Sequence, residues 1–356
     1  MIKKSKLIQL ENTAEKCYEI CKNNEICDPM KNKSIFITGA GGFIGSHLTE
    51  KLVKDGNDVK AFVRYNSRND WGMLEQVPEE LLDSIEIING DLRDPNAVNN
   101  AVKDTEIVFH LASLIAIPYS YVNPREVIET NIMGTLNVLN ASKDNEIDKI
   151  VHTSTSEVYG SAKYVPINED HPLQGQSPYS ASKIGADKIA ESYYRSFELP
   201  VATIRPFNTY GPRQSARAVI PTIISQALAQ DKIQLGSLEP TRDYTYVLDT
   251  VRAFIKIAES TKSNGEVINV GSNFEVSIGK LAEKIFSLLD KNIKIITDSN
   301  RIRPKDSEVE RLWCDNTKAK EILKWEPKIS IEEGLENVIL WIKSNPHLYK
   351  SGIYNR

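Results

Sequence analysis

The stretch Ser34-Ile-Phe-Ile-Thr-Gly39-Ala-Gly-Gly42-Phe-Ile-Gly45 joins an apolar run to a turn with spaced glycines. The apolar run predicts a buried strand, and a helix is expected after the turn. Glycines here let the backbone turn tightly and approach a pyrophosphate, which would lie at the N-terminus of that helix. The stretch therefore predicts a dinucleotide-binding unit. An ordinary tight strand-to-helix turn is the alternative, because a glycine fingerprint alone is a weak signal.

From Ser34 onward, apolar strands alternate with amphipathic helices. The predicted strands are Ser34–Thr38, Val59–Arg64, Ile85–Asn89, Ile107–Leu111, Lys149–Thr153 and Val201–Arg205. This alternation is typical of a parallel sheet with helices on both faces. We expect an α/β fold with a Rossmann-type, doubly wound parallel sheet over residues 31–206. Gly56 should end the first helix, and Asp94-Pro95 should begin another.

After residue 206 the alternation weakens. Helices are predicted near Ile220–Gln230, Asp249–Ala258, Ile278–Leu288 and Ile331–Ser344, with a short strand at Val267–Val270. This pattern indicates a smaller mixed α/β lobe over residues 207–346, parts of which interleave with the first domain. We expect that lobe to bind the substrate. Residues 1–30 are polar and are interpreted as an N-terminal extension of unknown role.

Composition excludes several classes of protein. The net charge is -4 and the sequence pI about 5.9, so the basic footprint of a nucleic-acid binder is missing. No run approaches the roughly 20 apolar residues of a membrane helix. We expect a cytoplasmic protein that binds neither nucleic acid nor membrane. The four cysteines, Cys17, Cys21, Cys27 and Cys314, are expected to be free thiols, and no metal site is predicted.

The end of the second strand bears on the choice of cofactor. It reads Val63-Arg64-Tyr65-Asn66-Ser67-Arg68, with no carboxylate before Asp70. In NAD enzymes a carboxylate here usually bonds the ribose 2′-hydroxyl. Arg64, Ser67 and Arg68 suit a 2′-phosphate instead, since arginine pairs with phosphate through a planar fork. NADP is therefore preferred, NAD stays open, and solvated loop charges are the alternative.

Other cofactor contacts are expected at the ends of the next strands. Asp91 and Leu92 follow the third strand, where a carboxylate could accept from the adenine amino group. Leu111, Ala112 and Ser113 follow the fourth strand, where small residues let the backbone lie along the cofactor. His110 is expected to be packed rather than catalytic. The predicted contacts are completed by Phe43, Ile44, Thr153 and Pro206.

Two motifs predict a reaction centre. The fifth strand runs into Ser154-Thr155-Ser156-Glu157, and Tyr179 and Lys183 lie four residues apart, which places them on one helix face. A lysine ammonium and an oxidised nicotinamide both favour the tyrosine phenolate. The tyrosine can then remove a hydroxyl proton while hydride leaves the same carbon. An exposed helix face is the alternative reading of the Tyr179/Lys183 pair.

These ordered motifs resemble the extended short-chain dehydrogenase/reductases of the sugar-nucleotide epimerase/dehydratase family, from about Met30 to about residue 345. The resemblance implies that Thr155, Tyr179 and Lys183 carry out an oxidation. It also implies that Asn131 supports Lys183 through a water molecule and belongs to the cofactor-binding residues. Finally, it implies a homodimer built on the helices 126–141 and 179–197.

Glu157 narrows the reaction. Thr155-Ser156-Glu157 resembles the signature of nucleotide-sugar 4,6-dehydratases, which are hydro-lyases. Once C4 is a ketone, a carboxylate can remove the acidified C5 proton, water leaves from C6, and hydride returns to C6. Ser156 replaces the aspartate of the dTDP-glucose type, so the acid that protonates the leaving hydroxyl stays open. The same string also resembles UDP-glucuronate decarboxylases, and C4 epimerisation is a third possibility.

The second half of the chain resembles the family's nucleotide-sugar site. The resemblance implies substrate contacts from Asn208, Arg213, Val219, Arg242 and Arg303. Three stretches, 117–121, 211–221 and 303–309, are similar to the N-acetylglucosamine nucleotide 4,6-dehydratases of bacterial legionaminic-acid pathways. In that subgroup the base is guanine or uracil.

Overall fold

The computed structural model describes residues 30–302 and 304–350. The strands are β1 Ser34–Thr38, β2 Asp58–Arg64, β3 Ile85–Gly90, β4 Ile107–His110, β5 Lys149–Thr153, β6 Val201–Pro206, β7 Asn208–Tyr210, β8 Lys232–Leu235, β9 Thr241–Tyr246, β10 Val267–Val270, β11 Glu275–Ser277 and β12 Lys294–Thr297. The helices are α1 Phe43–Lys54, α2 Glu79–Leu82, α3 Pro95–Val102, α4 Ile117–Val122, α5 Pro124–Ile128, α6 Gly134–Asp144, α7 Pro178–Phe197, α8 Val219–Ala229, α9 Val247–Glu259, α10 Ile278–Leu289, α11 Thr317–Leu323 and α12 Ile331–Ser344. Residues 1–29, with Cys17, Cys21 and Cys27, lie outside the described residues, as does Arg303. Cys314 is a buried free thiol.

The central sheet has seven strands in the order β10-β6-β5-β4-β1-β2-β3. All of its neighbouring strands are parallel. The chain runs outward from β1 to β3 and then crosses to β4 on the other side of β1. In such sheets ligands bind beyond the carboxyl ends of the strands at this switch point. The expected Rossmann-type fold is confirmed, and the six predicted strands agree with the structure to within one residue at each end.

Strand β10 belongs to the central sheet, where it pairs with β6 through Ile268 and Ile204. Both isoleucines are fully buried. The short strand assigned by sequence to the smaller lobe is therefore the edge of the larger sheet, so the chain returns to the first domain after residue 206. The smaller lobe contains the β11-β9-β7 and β12-β8 sheets. It packs around an apolar core of its own that includes Ile223, Leu281 and Leu335.

Local sequence explains several helix ends. Helix α1 ends at Lys54 and is followed by Gly56 with φ +83°, a left-handed conformation that glycine adopts without strain. Asp94 caps α3 by accepting from two backbone N–H groups of its first turn. Ser177 and Ser180 cap the start of α7 reciprocally. These local bonds fix where the helices around the sheet begin.

The helix expected over residues 126–141 is interrupted. A π-helical turn over Glu129–Met133 separates α5 from α6. The turn brings Asn131 inward, where its amide bonds both backbone groups of Leu114 and the hydroxyl of Ser182. These tertiary bonds give a physical reason for the irregular turn, because a helix follows its intrinsic geometry only where packing permits.

None of the helices in the described part of the chain combines the length and the apolar content that a membrane crossing needs.

Candidate active site

A cleft of about 750 Å³ opens at the carboxyl ends of the central strands. The predicted cofactor residues that line it are Gly39, Gly42, Phe43, Ile44, Gly45, Arg64, Arg68, Asp91, Leu92, Leu111, Ala112, Ser113, Thr153, Tyr179 and Pro206. Thr155, Ser156, Glu157 and Asn208 line the same cleft. Among the described lining residues, Ser67, Asn131 and Lys183 are not found. The structure therefore brings the predicted cofactor turn and the predicted reaction centre into one cavity.

The glycine turn is built for close backbone packing. A Cβ on Gly45 would lie 2.1 Å from the carbonyl oxygen of Gly39, and one on Gly39 would lie 2.7 Å from the backbone nitrogen of Ala112. Gly42 is the N-cap of α1 and offers no side chain to bond the first helical N–H groups. Those N–H groups and the helix dipole favour an anion at this end of the cleft. The turn thus fits the pyrophosphate of a dinucleotide.

Charged residues follow strands β2 and β3 along the cleft. Arg64 and Arg68 lie at 3.5 Å from Glu126 and 3.4 Å from Asp70, long ion pairs between exposed side chains. Asp91 pairs with Arg93 at 2.6 Å, and the hydrogen bonds from Arg93 lower the pKa of its carboxyl. Asp91 is therefore an ionised acceptor at the end of β3, and Arg93 adds a cation that the sequence reasoning did not assign.

The segment after β2 covers the glycine turn, and the sequence reasoning missed its role. The backbone N–H of Met73 donates to the carbonyl of Gly41 at 2.9 Å. A Cβ on Gly41 would lie 2.5 Å from the carbonyl of Trp71, and one on Gly72 would lie 2.5 Å from that of Gly41. Asn66, Asp70, Trp71 and Gly72 consequently line the cleft. The glycine at position 72 was the available sequence signal for this close approach, because it adopts a φ of +68° that glycine tolerates without strain.

The reaction centre forms where β5 meets α7. Tyr179 lies beside Thr155 and close to Glu157. Burial raises the pKa of its phenol, the neighbouring Thr155 hydroxyl lowers it, and the charge of Glu157 raises it. Lys183 donates from Nζ to the carbonyl of Thr153 at 2.6 Å. Burial lowers the pKa of Lys183 to about 8, against the opposing charge of Asp187. Burial therefore opposes ionisation of the phenol, and a positive charge placed beside it would favour the phenolate.

His110 is packed beside this centre, as expected. It is 3% exposed, and its two ring nitrogens are bonded to Thr38 at 2.8 Å and Thr135 at 3.0 Å. Burial lowers the pKa of His110 well below its usual value. A neutral imidazole with both nitrogens occupied is a structural element between β1, β4 and α6.

The family model described as GDP-mannose 4,6 dehydratase matches residues 36–338 of the chain. The chain belongs to this family. It is 35% identical to the UDP-N-acetyl-alpha-D-glucosaminuronate decarboxylase of Bacillus cytotoxicus, over 87% of the chain and 98% of that protein. It is 33% identical to a putative UDP-glucose 4-epimerase of Methanocaldococcus jannaschii, over 87% of the chain and 99% of that protein.

A solved structure of this family shows the same fold with a dinucleotide bound. DesIV, the dTDP-glucose 4,6-dehydratase of Streptomyces venezuelae with NAD and TYD bound, matches with a TM-score of 0.78 and 25% identity, covering 89% of this chain and 98% of that one. The chain is therefore an extended short-chain dehydrogenase/reductase of the nucleotide-sugar group. Its relatives include dehydratases, epimerases and a decarboxylase.

Only some of the residues predicted to bind substrate line the cleft. Asn208 lines the cleft, and its buried Oδ1 has no hydrogen-bond partner among the described residues. Arg213 instead bonds Glu50 at 2.6 Å and the carbonyl of Gln76 at 3.0 Å. Arg242 bonds the carbonyl of Thr241 and lies 3.3 Å from Glu308.

Neither arginine, nor Val219 at the start of α8, is among the described residues that line the cleft. Arg303 lies outside the described residues. No cluster of three or more His, Cys, Asp or Glu side chains in the described ranges is arranged to hold a metal ion.

Proposed function

We propose that the chain is a nucleotide-sugar 4,6-dehydratase that converts a nucleotide-activated N-acetylglucosamine to its 4-keto-6-deoxy derivative. One observation carries the choice among the family's reactions. The carboxylate of Glu157 lies in the same cleft as Thr155 and Tyr179, close enough to Tyr179 to raise the pKa of its phenol. Elimination of water needs a base for the C5 proton beside the residues that oxidise C4, and the position of Glu157 in this cleft supports that role.

The residues divide the chemistry in the following way. Tyr179 takes the proton of the C4 hydroxyl while Thr155 holds the oxygen, and a nicotinamide cofactor supplies the acceptor and later the donor of hydride. Glu157 removes the C5 proton that the new ketone has acidified. The C6 hydroxyl leaves with a proton as water, hydride returns to C6, and C5 is reprotonated.

The substrate assignment rests on resemblance. The stretches 117–121, 211–221 and 303–309 are similar to the legionaminic-acid-pathway enzymes, so GDP- and UDP-N-acetylglucosamine are the proposed substrates. Purified enzyme should turn one of them into a product lighter by one water, as measured by mass spectrometry. Loss of carbon dioxide from UDP-glucuronate would favour the decarboxylase instead. An unchanged mass with altered sugar couplings in NMR spectra would favour the epimerase.

The role of Glu157 has its own test. Glu157→Gln keeps the size of the side chain and removes the base, so we expect the cofactor to be reduced by substrate while no dehydrated product forms. Wild-type product formation by Glu157→Gln would contradict the proposal. Ser156→Asp and Ser156→Ala test which group protonates the leaving C6 hydroxyl, since the first adds a carboxyl group at this position and the second removes the hydroxyl. If Glu157 serves as both base and acid, neither change should raise the rate of elimination.

We further propose NADP as the preferred cofactor. Arg64 and Arg68 support this preference, since both line the cleft and hold their acidic neighbours only through long, exposed contacts. The double variant Arg64→Ala/Arg68→Ala should weaken NADP binding far more than NAD binding in calorimetric titrations. Equal affinities of the wild type for NAD and NADP would refute the preference.

A homodimer through residues 126–141 and 179–197 is also proposed. Ile128, Met133 and Phe197 support it, because they are 44%, 46% and 53% exposed on these segments. Large apolar side chains left exposed along two segments that pack against each other support an interface there. Light scattering should show a dimer, and Met133→Glu should shift the equilibrium toward the monomer.

A further inference from the structure

The catalytic helix α7 carries another buried ionisable residue on the face that holds Tyr179 and Lys183. Asp187 lies one helical turn after Lys183, and its side chain is 4% exposed. Aspartate is almost never buried unless it is paired. Asp187 does not line the cleft among the described residues, so contact with the substrate does not explain its burial.

Hydrogen bonds from two strands converge on this carboxylate. His152 of β5 donates from Nε2 to Oδ1 at 3.1 Å. Arg205 of β6 donates to Oδ2 from Nη2 at 2.9 Å and from Nε at 3.2 Å. Ser154 donates to the same oxygen at 2.7 Å. Asp187 thus joins α7 to the neighbouring strands β5 and β6.

These bonds align the end of β5 with the catalytic helix, one residue after another. The carbonyl of Thr153 accepts from Lys183, and the hydroxyl of Ser154 donates to Asp187. Thr155 lies beside Tyr179, where it lowers the pKa of the phenol. Ser154 is therefore the middle of three consecutive residues that meet α7. A change at Asp187 would release the centre of this alignment while both catalytic side chains stayed intact.

We propose that Asp187 is a positioning residue that holds Thr155 and Glu157 in place through Ser154 and sets a negative charge one helical turn from Lys183 during hydride transfer. The proposal rests on the proposed function only for the oxidation at C4. It does not depend on whether water, carbon dioxide or neither is lost afterwards.

The charges around Lys183 support this assignment. The ionisable groups whose charges act on Lys183 or respond to it are Asp187 on α7, His110 on β4 and His152 on β5. Tyr179 shares the helix face, Glu157 acts on Tyr179, and Arg205 on β6 is bonded to Asp187. Although burial alone would raise it, bonds from His152 and Ser154 and the charge of Arg205 lower the pKa of Asp187 to about 2.

The two histidines add no charge to the cluster. Burial lowers the pKa of both imidazoles. A proton on Nδ1 of His152 would also find no hydrogen-bond acceptor among the described residues. Arg205 is a cation and is bonded to Asp187. Asp187 is the ionised carboxylate bonded within this cluster, and its charge opposes the loss of the Lys183 proton that burial favours.

The test compares three single variants by the rate of cofactor reduction in a single turnover, from about pH 6 to about pH 10. Asp187→Asn should move the alkaline loss of rate to lower pH by about one unit, because a neighbouring opposite charge has been removed. Ser154→Ala keeps that charge, so its rate should fall with no shift in pH dependence. Glu191→Gln makes the same chemical change as Asp187→Asn one turn further along α7. The side chain of Glu191 is 37% exposed and pairs with Lys188 and Arg195, so this variant should match the wild type in both respects.

Cofactor binding gives a readout besides activity. Calorimetric titration with NADP should lose affinity at lower pH in Asp187→Asn than in the wild type and in Glu191→Gln. If the wild type fails to reduce the cofactor with any proposed substrate, the proposed function fails, and this binding measurement still tests Asp187.

Asp187→Asn leaves Arg205 buried without its partner, which is strongly destabilising. The double variant Asp187→Asn/Arg205→Met removes both charges and should fold and show the same shift. An unchanged pH dependence in whichever variant folds would overturn the proposal. If neither variant folds, Asp187 is a structural residue, which would overturn the proposal as well.

Discussion

Replacement of Gly45 by alanine tests the cofactor turn directly. The added Cβ would lie 2.1 Å from the Gly39 carbonyl oxygen and 2.9 Å from the Cα of Ala40, both of them backbone atoms. Ordinary contact begins at 3.4 Å, so the start of α1 must retreat from that carbonyl by about 1.3 Å. The bonds Gly42 N–Gly39 O and Ser46 N–Gly42 O, each 2.9 Å, hold the turn against this movement.

The size of the effect follows from this geometry. Overpacking of this kind costs about 1–3 kcal/mol in stability. A displaced helix N-terminus also loses at least one hydrogen bond to a charged phosphate, worth about 1.5–3 kcal/mol. Because about 1.4 kcal/mol is a tenfold change in affinity, the Kd for NADP or NAD should rise about 10- to 100-fold.

Calorimetric titration with each cofactor and urea denaturation measure the two effects separately. Gly279→Ala is the control, because its Cβ would meet Leu238 at 3.6 Å, an ordinary contact, in the first turn of α10. It should bind cofactor like the wild type. Wild-type affinity in Gly45→Ala would show that the pyrophosphate does not lie on this turn.

Three further outcomes are expected. Tyr179→Phe should abolish cofactor reduction by substrate, because the hydroxyl that takes the proton is lost. Cofactor affinity should stay within about tenfold of the wild type. Substrate-driven reduction in this variant would show that another group is the base. Arg213→Met removes the hydrogen bonds of the buried guanidinium to Glu50 and to the carbonyl of Gln76, while Glu50 keeps its ion pair with Lys54. Urea denaturation should therefore show a loss of about 1.5–3 kcal/mol, against about 0–1 kcal/mol for the exposed control Arg195→Met. Similar losses in both would contradict the assignment of a buried ion pair. Burial lowers the pKa of Lys149 from 10.5 to about 7, so between these pH values the unfolded chain holds a proton that the folded chain has lost. Lys149 should therefore make the free energy of unfolding rise with pH in this range. The rise should be smaller in Lys149→Met, and an equal slope in both proteins would refute this prediction.

The fold could be predicted where local sequence and packing agree. The strands of the central sheet are buried on both faces and read as continuous apolar runs, so their positions follow from the sequence. Val267–Val270 was located correctly as a strand, but its sheet was not. A four-residue strand carries no local mark of its partner, and its pairing with β6 depends on the path of the whole chain.

The site shows the same division. Tyr179 and Lys183 share a helix face at any position in a fold, so their spacing predicts that they act together. Arg213 lies in a segment that resembles a substrate loop, yet the fold places Glu50 of α1 within 2.6 Å of its guanidinium. Asp187 has the spacing of any helical carboxylate, and only the convergence of Ser154, His152 and Arg205 distinguishes it. Contacts between segments that are distant in the sequence determine the partners of Arg213 and Asp187.

The π-helical turn over Glu129–Met133 makes the length of this helical region as important as its composition. A π turn accommodates one residue more than an α turn. Deleting Ile132 would let the turn close into a regular α-helix and rotate the residues before it by about 100° relative to α6. Asn131 would then leave Leu114, and the cleft wall beyond β4 would lose its anchor. In an alignment of related sequences, a single-residue gap at this position would therefore identify members whose cofactor wall is held in a different way.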